Sequence, residues 1–210
     1  MIISPGRKYI FVHIPKTGGT ALSLALEDRA MADDILIGDT PKAVKRRGKV
    51  KKFAADRKLR KHSTLADMDG LLALDDFFVV TLVRNPWDRM VSYYHWLREQ
   101  NFDHRAVTLA KAHGFSDFLT HPETVAVQTA ESYSSYVSAK GVEPHFVRLE
   151  DLADDIEPFE RHLGFKLDIP HVNRSKRDAD WRGYYSDSDA DLVGQMYAAD
   201  IDRFGYGFDG

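Results

Sequence analysis

The sequence predicts an α/β protein with a parallel sheet covered by helices on both faces. Two short, continuously apolar runs, Tyr9-Ile10-Phe11-Val12 and Phe77-Phe78-Val79-Val80-Thr81-Leu82-Val83, each lead into a helix-compatible segment. A third strand-like run, His145-Phe146-Val147-Arg148-Leu149, follows later in the chain. Strands buried on both faces read as uninterrupted apolar stretches, and strand–helix alternation is how parallel strands are joined. Ligands of such sheets sit beyond the carboxyl ends of the strands. The segments that follow these runs are therefore where a site is expected.

In chain order, the first strand is expected over residues 10–14 and a helix from Thr20 to about Ala30. Residues 33–62 lack a clear period and read as an excursion, with a short strand at Ile35-Leu36-Ile37. Residues 77–83, rich in β-branched and aromatic side chains, give the strongest strand. Asn85 suits an N-cap, Pro86 the first helical position and Asp88 the first turn, so a helix is expected to run to about Gln100. A short helix is expected at 116–119, a strand at 145–149 and a helix at 155–163. A last, amphipathic helix at 189–201 places Leu192, Val193, Met196, Tyr197 and Ile201 on one side. No repeat or linker interrupts the 210 residues, which are expected to form a single domain.

The apolar share of 43% supports a substantial core, and a net charge of -3 names no partner. Cysteine is absent, which rules out disulfides, a thiolate nucleophile and Cys-bound zinc, and suits a reducing compartment. The first residues lack the pattern of a signal peptide, and no apolar stretch reaches the roughly 18 residues of a membrane span, so the cytoplasm is the default expectation. Charge is nonetheless uneven. Residues 41–62 hold eleven Lys and Arg against one acid, Asp56. Such a block attracts an anionic substrate, nucleic acid or a membrane surface, or is simply a solvated, mobile loop.

His13-Ile14-Pro15-Lys16-Thr17-Gly18-Gly19-Thr20 joins the first strand to the first helix. Glycines let main-chain N–H groups close on an anion, and the helix N-terminus adds its positive end. Lys16 adds a full charge, and Thr17 and Thr20 add hydroxyl donors. The Lys precedes the glycines, so the loop is not a Walker A motif. An ordinary strand-to-helix turn is the alternative. At the end of the 77–83 strand, Arg84 can fork onto a phosphate, and Ser92, eight residues on, can donate a hydroxyl. The bland readings are a strand-end salt bridge for Arg84 and a neutral helix position for Ser92. A metal-dependent kinase or NTPase, a rival reading, would normally carry an Asp at the end of such a strand rather than an Arg.

Residues 13–20 resemble the 5′-phosphosulfate-binding loop of sulfotransferases, and Val83-Arg84-Asn85-Pro86-Trp87-Asp88-Arg89-Met90-Val91-Ser92-Tyr93-Tyr94 resembles their 3′-phosphate-binding motif. The group resembled is the carbohydrate sulfotransferases that include the heparan sulfate 2-O-sulfotransferases and their bacterial relatives. Weaker matches follow at Arg148-Leu149-Glu150-Asp151-Leu152, His171-Val172-Asn173-Arg174-Ser175 and Asp200–Tyr206. The resemblance implies a P-loop NTPase-like three-layer fold with a central, mainly parallel sheet flanked by helices. It further implies 3′-phosphoadenosine 5′-phosphosulfate (PAPS) as co-substrate, 3′,5′-ADP as product and no metal. Lys16, Thr17, Gly18, Gly19 and Thr20 would hold the 5′ side, and Arg84 and Ser92 the 3′-phosphate. Ser175, Lys176 and Arg177 would fold over the nucleotide. Ala21 stands where many relatives carry a hydroxyl residue, so there only its main-chain N–H could serve.

In-line transfer needs charge stabilisation on the leaving side and a base for the acceptor hydroxyl. Lys16 is expected to fill the first role and His62 the second, since relatives place a catalytic His in the corresponding interval. Its cationic neighbours Arg60 and Lys61 favour neutral imidazole. His13 suits loop support, and His95 and His104 lie in no motif. The expected acceptor is a hydroxyl-bearing molecule, a glycan more than a small phenol, and an anionic one would suit the basic block. No nucleic-acid partner is expected. A non-catalytic nucleotide- or polyanion-binding protein is the alternative. Trp87, Tyr93, Tyr94 and Trp96 read as core or crevice wall, while Trp181, Tyr184 and Tyr185 read as packing or as the lining of an acceptor or adenine site.

Overall fold

The computed structural model describes residues 1–170 and 177–209. Its regular elements, in order, are β1 (Ile2–Ser4), β2 (Tyr9–Val12), α1 (Gly19–Asp28), β3 (Ile35–Leu36), α2 (Pro41–Lys45), α3 (Arg47–Ala54), β4 (Phe78–Val83), α4 (Pro86–Glu99) and α5 (Arg105–Ala112). They continue with α6 (Phe115–Thr120), α7 (Pro122–Ala130), α8 (Tyr133–Val137), β5 (His145–Arg148), α9 (Leu152–Asp155), α10 (Glu157–Leu163), α11 (Asp187–Met196) and α12 (Ala198–Phe204). The chain divides into two compact units, residues 1–83 with 134–170 and residues 84–133 with 177–209.

The first unit holds a five-stranded sheet in the order β3-β1-β2-β4-β5. β2 runs parallel to β4 with Phe11 opposite Val80, and β4 parallel to β5 with Thr81 opposite Phe146. β1 runs antiparallel to both β2 and β3. Four of the five strands therefore point the same way, which gives the mainly parallel sheet expected. β2 is buried along its whole length, and Thr81 spends its hydroxyl on the Val12 carbonyl at 2.8 Å, so even the polar residue of β4 is satisfied inside. Tyr9, Phe11, Leu22, Leu26, Val80, Leu82, Val147 and Phe159 form the core. Each large side chain buried this way contributes about 1.5–3 kcal/mol.

The sequence expectation differs in places. β1 is too short to show a period; a tight turn over residues 5–8, with Lys8 at φ 53°, folds it back on β2. The first strand stops at Val12 rather than residue 14. The basic block is not irregular throughout: Thr40 caps α2 by accepting from the Ala43 N–H at 3.1 Å, Pro41 opens it, and α3 follows. Only Ala43 and Ala54 of these helices are buried, so no apolar stripe announces them.

The second unit is helical. Asn85 accepts from the Trp87 N–H at 3.1 Å and so caps α4, with Pro86 at the first position, as the sequence predicts. Trp87, Met90, Val91, Tyr94 and Leu97 of α4 pack with Val107, Phe118, Leu119, Val193 and Tyr197. The expected 189–201 helix is two helices. A Ser186/Asp189 capping box starts α11 earlier, and buried Tyr197 separates it from α12. Among the described residues, no helix is long and apolar enough to cross a membrane.

Candidate functional site

The loop from His13 to Gly18 leaves the carboxyl end of β2, beside the carboxyl end of parallel β4, where Val83, the first residue of the second motif, ends its strand. Two loop residues adopt left-handed backbone, Gly18 at φ 85° and, unusually, Lys16 at φ 66°. A side chain at such φ costs about 1–2 kcal/mol, and strain of this kind gathers at functional sites. Gly18 is the N-cap of α1, and no side chain caps the helix, so the positive end of its dipole faces out through the loop. The glycines are needed for contact. A Cβ at Gly18 would stand 2.8 Å from a Leu149 methyl, and one at Gly19 would stand 2.4 Å from the His13 ring.

Two expected donors are already engaged. Thr17 is fully buried and its single hydroxyl hydrogen goes to the Ile14 carbonyl at 3.0 Å, so its side chain locks the loop and its own N–H is what it can offer an anion. The Ala21 N–H goes to the Gly18 carbonyl at 3.0 Å in a tightened first turn. Thr20 is half-buried one residue into α1. A cavity of about 10 Å³ beside it, lined by His13, Thr20, Ser23, Glu27, Thr40 and Lys61 among others, has room for one water and none for a nucleoside.

His62 and His13 are brought together. His62 Nδ1 lies 2.8 Å from the His13 carbonyl oxygen, and the two rings meet edge to face at 4.9 Å. A carbonyl only accepts, so the hydrogen sits on Nδ1 and the lone pair on Nε2. His62 itself is solvent-exposed, in a turn fixed by reciprocal bonds between Arg60 and Ser63. Loss of water around its inner edge lowers its pKa, the bond to His13 opposes this, and Lys61 lowers it further. His13 is 3% exposed, and burial holds its imidazole well below the usual range. It packs against Gly19, which suits loop support.

In the second unit, Arg84 follows β4 and forms an ion pair with Asp88 at 2.6 Å, so the salt bridge of the bland reading is present. Ser92 is buried one turn beyond Asp88 on α4. Arg177 also pairs with Asp88, which brings two of the expected nucleotide-binding cations to one carboxylate. Ser175 and Lys176, with the whole 171–175 match, lie outside the described residues. Trp181, Tyr184 and Tyr185 pack against the helical core, and Tyr185 donates to the Trp87 carbonyl at 2.7 Å.

The sequence places Leu149 in a strand and in a weak motif match without pointing to its contact with Gly18, and it marks Asp88 as a first-turn charge within the Val83–Tyr94 motif without pointing to its arginine partners. The four-residue spacing from Arg84 to Asp88 was the available signal.

The comparisons with known proteins bear on this arrangement. No individually curated protein matches the chain. Among solved structures, the mouse sulfotransferase SULT7A1 complexed with PAP superposes with a TM-score of 0.53 at 14% identity, over 95% of this chain and 86% of that one. That likeness establishes a shared fold, a central and mainly parallel sheet flanked by helices. The family model described as "Sulfotransferase family" matches residues 1–207, which takes in the 13–20 loop, His62 and the Arg84–Ser92 segment together, and on that match the chain belongs to the sulfotransferase family.

Proposed function

We propose that this protein transfers a sulfuryl group from PAPS to a hydroxyl of a carbohydrate acceptor, with Lys16 and His62 as the catalytic residues. The observation that carries the reading is the 2.8 Å bond from His62 Nδ1 to the His13 carbonyl, on the strand end that also launches the Lys16 loop. One main-chain segment thereby supports both an anion cradle and a histidine whose Nε2 keeps its lone pair. Sulfotransferase family membership and the PAP held by the mouse relative support the choice of donor.

PAPS supplies the activated sulfuryl group. Lys16 through Thr20 hold the 5′ side through main-chain donors, the α1 dipole and the Lys16 ammonium. Arg84 and Ser92 hold the 3′-phosphate, and Ser175, Lys176 and Arg177 are assigned to the cover over the nucleotide. His62 Nε2 takes the proton of the acceptor hydroxyl, and Lys16 offsets negative charge that grows on the leaving side. The exposed cations of α3, with Lys45, Arg57, Lys58 and Arg60 on either side, precede His62 in the chain and favour an anionic glycan over a neutral phenol. The absence of cysteine suits the cytoplasm, the location we propose.

The test is incubation with ³⁵S-labelled PAPS and a panel of glycans, phenols and lipids. Label should pass to a glycan with wild type and not with His62→Ala. Nucleotide binding without transfer to any acceptor would leave a binding protein instead.

A further inference from the structure

Asp88 holds two arginines at once. Its Oδ2 accepts from Arg84 Nη2 at 2.6 Å and from Arg84 Nε at 2.8 Å, while its Oδ1 accepts from Arg177 Nη2. The Arg84, Asp88 and Arg177 side chains are 15%, 16% and 7% exposed, so all three charges sit largely out of water, where geometry and pairing matter most. Asp88 stands in the first turn of α4, which Asn85 caps and Trp87 anchors in the core, and Ser92 follows it by four residues on the same face.

We propose that Asp88 is a positioning residue that sets Arg84 and Arg177 as one clamp for the 3′-phosphate of the nucleotide. This rests on the assignment of Arg84 and Ser92 to that phosphate. Charge alone argues the other way, since a carboxylate beside a phosphate site repels the ligand. The trio keeps one net positive charge where the arginines alone would carry two. Asp88 is therefore useful to the site only through geometry. It orients two guanidinium groups and ties Arg177 to the rigid start of α4. The two accounts predict opposite signs for its removal.

The experiment is calorimetric titration with 3′,5′-ADP and with 5′-AMP, which lacks the 3′-phosphate. Wild type, Asp88→Asn, Arg177→Gln and the double variant are compared. Wild type should bind the bisphosphate at least about tenfold more tightly than 5′-AMP. Asp88→Asn should lower that ratio about tenfold while 5′-AMP affinity stays within about twofold. In the Arg177→Gln background the same change should cost about twofold or less, because the clamp is already broken. Asp88→Asn binding 3′,5′-ADP as tightly as wild type, or more tightly, would show that charge decides and would overturn the proposal. Additive effects, or equal loss of both nucleotides, would overturn it too. Should Asp88→Asn fail to fold, Arg177→Gln alone decides: a loss under about threefold in the ratio overturns the clamp. No discrimination between the nucleotides by wild type would instead sink the 3′-phosphate assignment beneath it.

Discussion

His62 Nδ1 donates to the main-chain oxygen of His13 across 2.8 Å, so the histidine proposed as base is oriented by the strand end that begins the 13–20 loop. Removing the ring should cost proton transfer and leave nucleotide binding intact. His62→Ala is expected to lose about 10²–10⁴ in turnover, the range of general-base contributions. Calorimetric affinity for 3′,5′-ADP should stay within about twofold. Near-normal turnover in that variant would take His62 out of the role.

The same surroundings fix a pH dependence. The pKa of His62 is lowered, so the neutral ring predominates at pH 7 and the acid limb of kcat/KM should fall below the ordinary imidazole value of about 6.5. An acid limb at or above 6.5 would point to another base. His13 adds an effect on stability. Unfolded, its imidazole binds a proton near pH 6.5, but buried in the fold it does not. Its stabilising contribution is thus complete above that pH and is lost as pH falls below it, at up to about 1.4 kcal/mol per pH unit. Urea midpoints measured between pH 7.5 and 5 should show this slope, and His13→Asn should reduce it to the part that His62, whose pKa is also lowered, contributes.

Close contact around the loop yields a third expectation. Gly19→Ala would drive a methyl to 2.4 Å from the buried His13 ring, which has little room to retreat. Overpacking of this kind costs about 1–3 kcal/mol. Because the His13 carbonyl orients His62, turnover should fall along with stability. Urea unfolding and a transfer assay on one preparation would show both losses. A variant as stable and active as wild type would mean that the loop is softer than these contacts imply.

The parts of the fold that could be read from sequence were those where one physical signal dominated. β4 is an apolar run with no polar interruption but Thr81, and α4 opens on Asn85-Pro86, whose capping chemistry is local. Both appear where expected. α2 and α3 were opaque because their only buried residues are Ala43 and Ala54, and a helix that rests on two alanines shows no period. β1 owes its existence to pairing with β2 and β3, which lie elsewhere in the chain. At the site, the glycines and the lysine of the 13–20 loop suggest an anion cradle from the sequence alone, whereas the role proposed for His62 rests on family resemblance, to which the structure adds the bond that orients its ring. Thr17 looked like a ligand donor, yet nothing in the sequence reveals that its hydroxyl is spent on Ile14. The contact of Leu149 with Gly18 is hidden for a related cause, since Leu149 reaches the loop from beyond the end of β5.

Lys16 sits at φ 66°, so its backbone and its side chain can be tested against each other. The left-handed conformation costs a β-carbon-bearing residue about 1–2 kcal/mol. Glycine escapes that cost but gives back about 0.4–1 kcal/mol through the freer unfolded chain. Lys16→Gly should therefore be between neutral and about 1.6 kcal/mol more stable than wild type. Lys16→Ala keeps the strain and should gain nothing. Both variants lose the ammonium, so both should lose at least about 10²-fold in transfer, a typical cost of removing one stabilising group aimed at developing charge. Denaturant unfolding would rank the stabilities and the ³⁵S assay the activities. The combination expected, a glycine variant that is no less stable yet inactive, would show that the loop tolerates strain to place a charge. Equal activity in the two variants and wild type would show that the charge is not used.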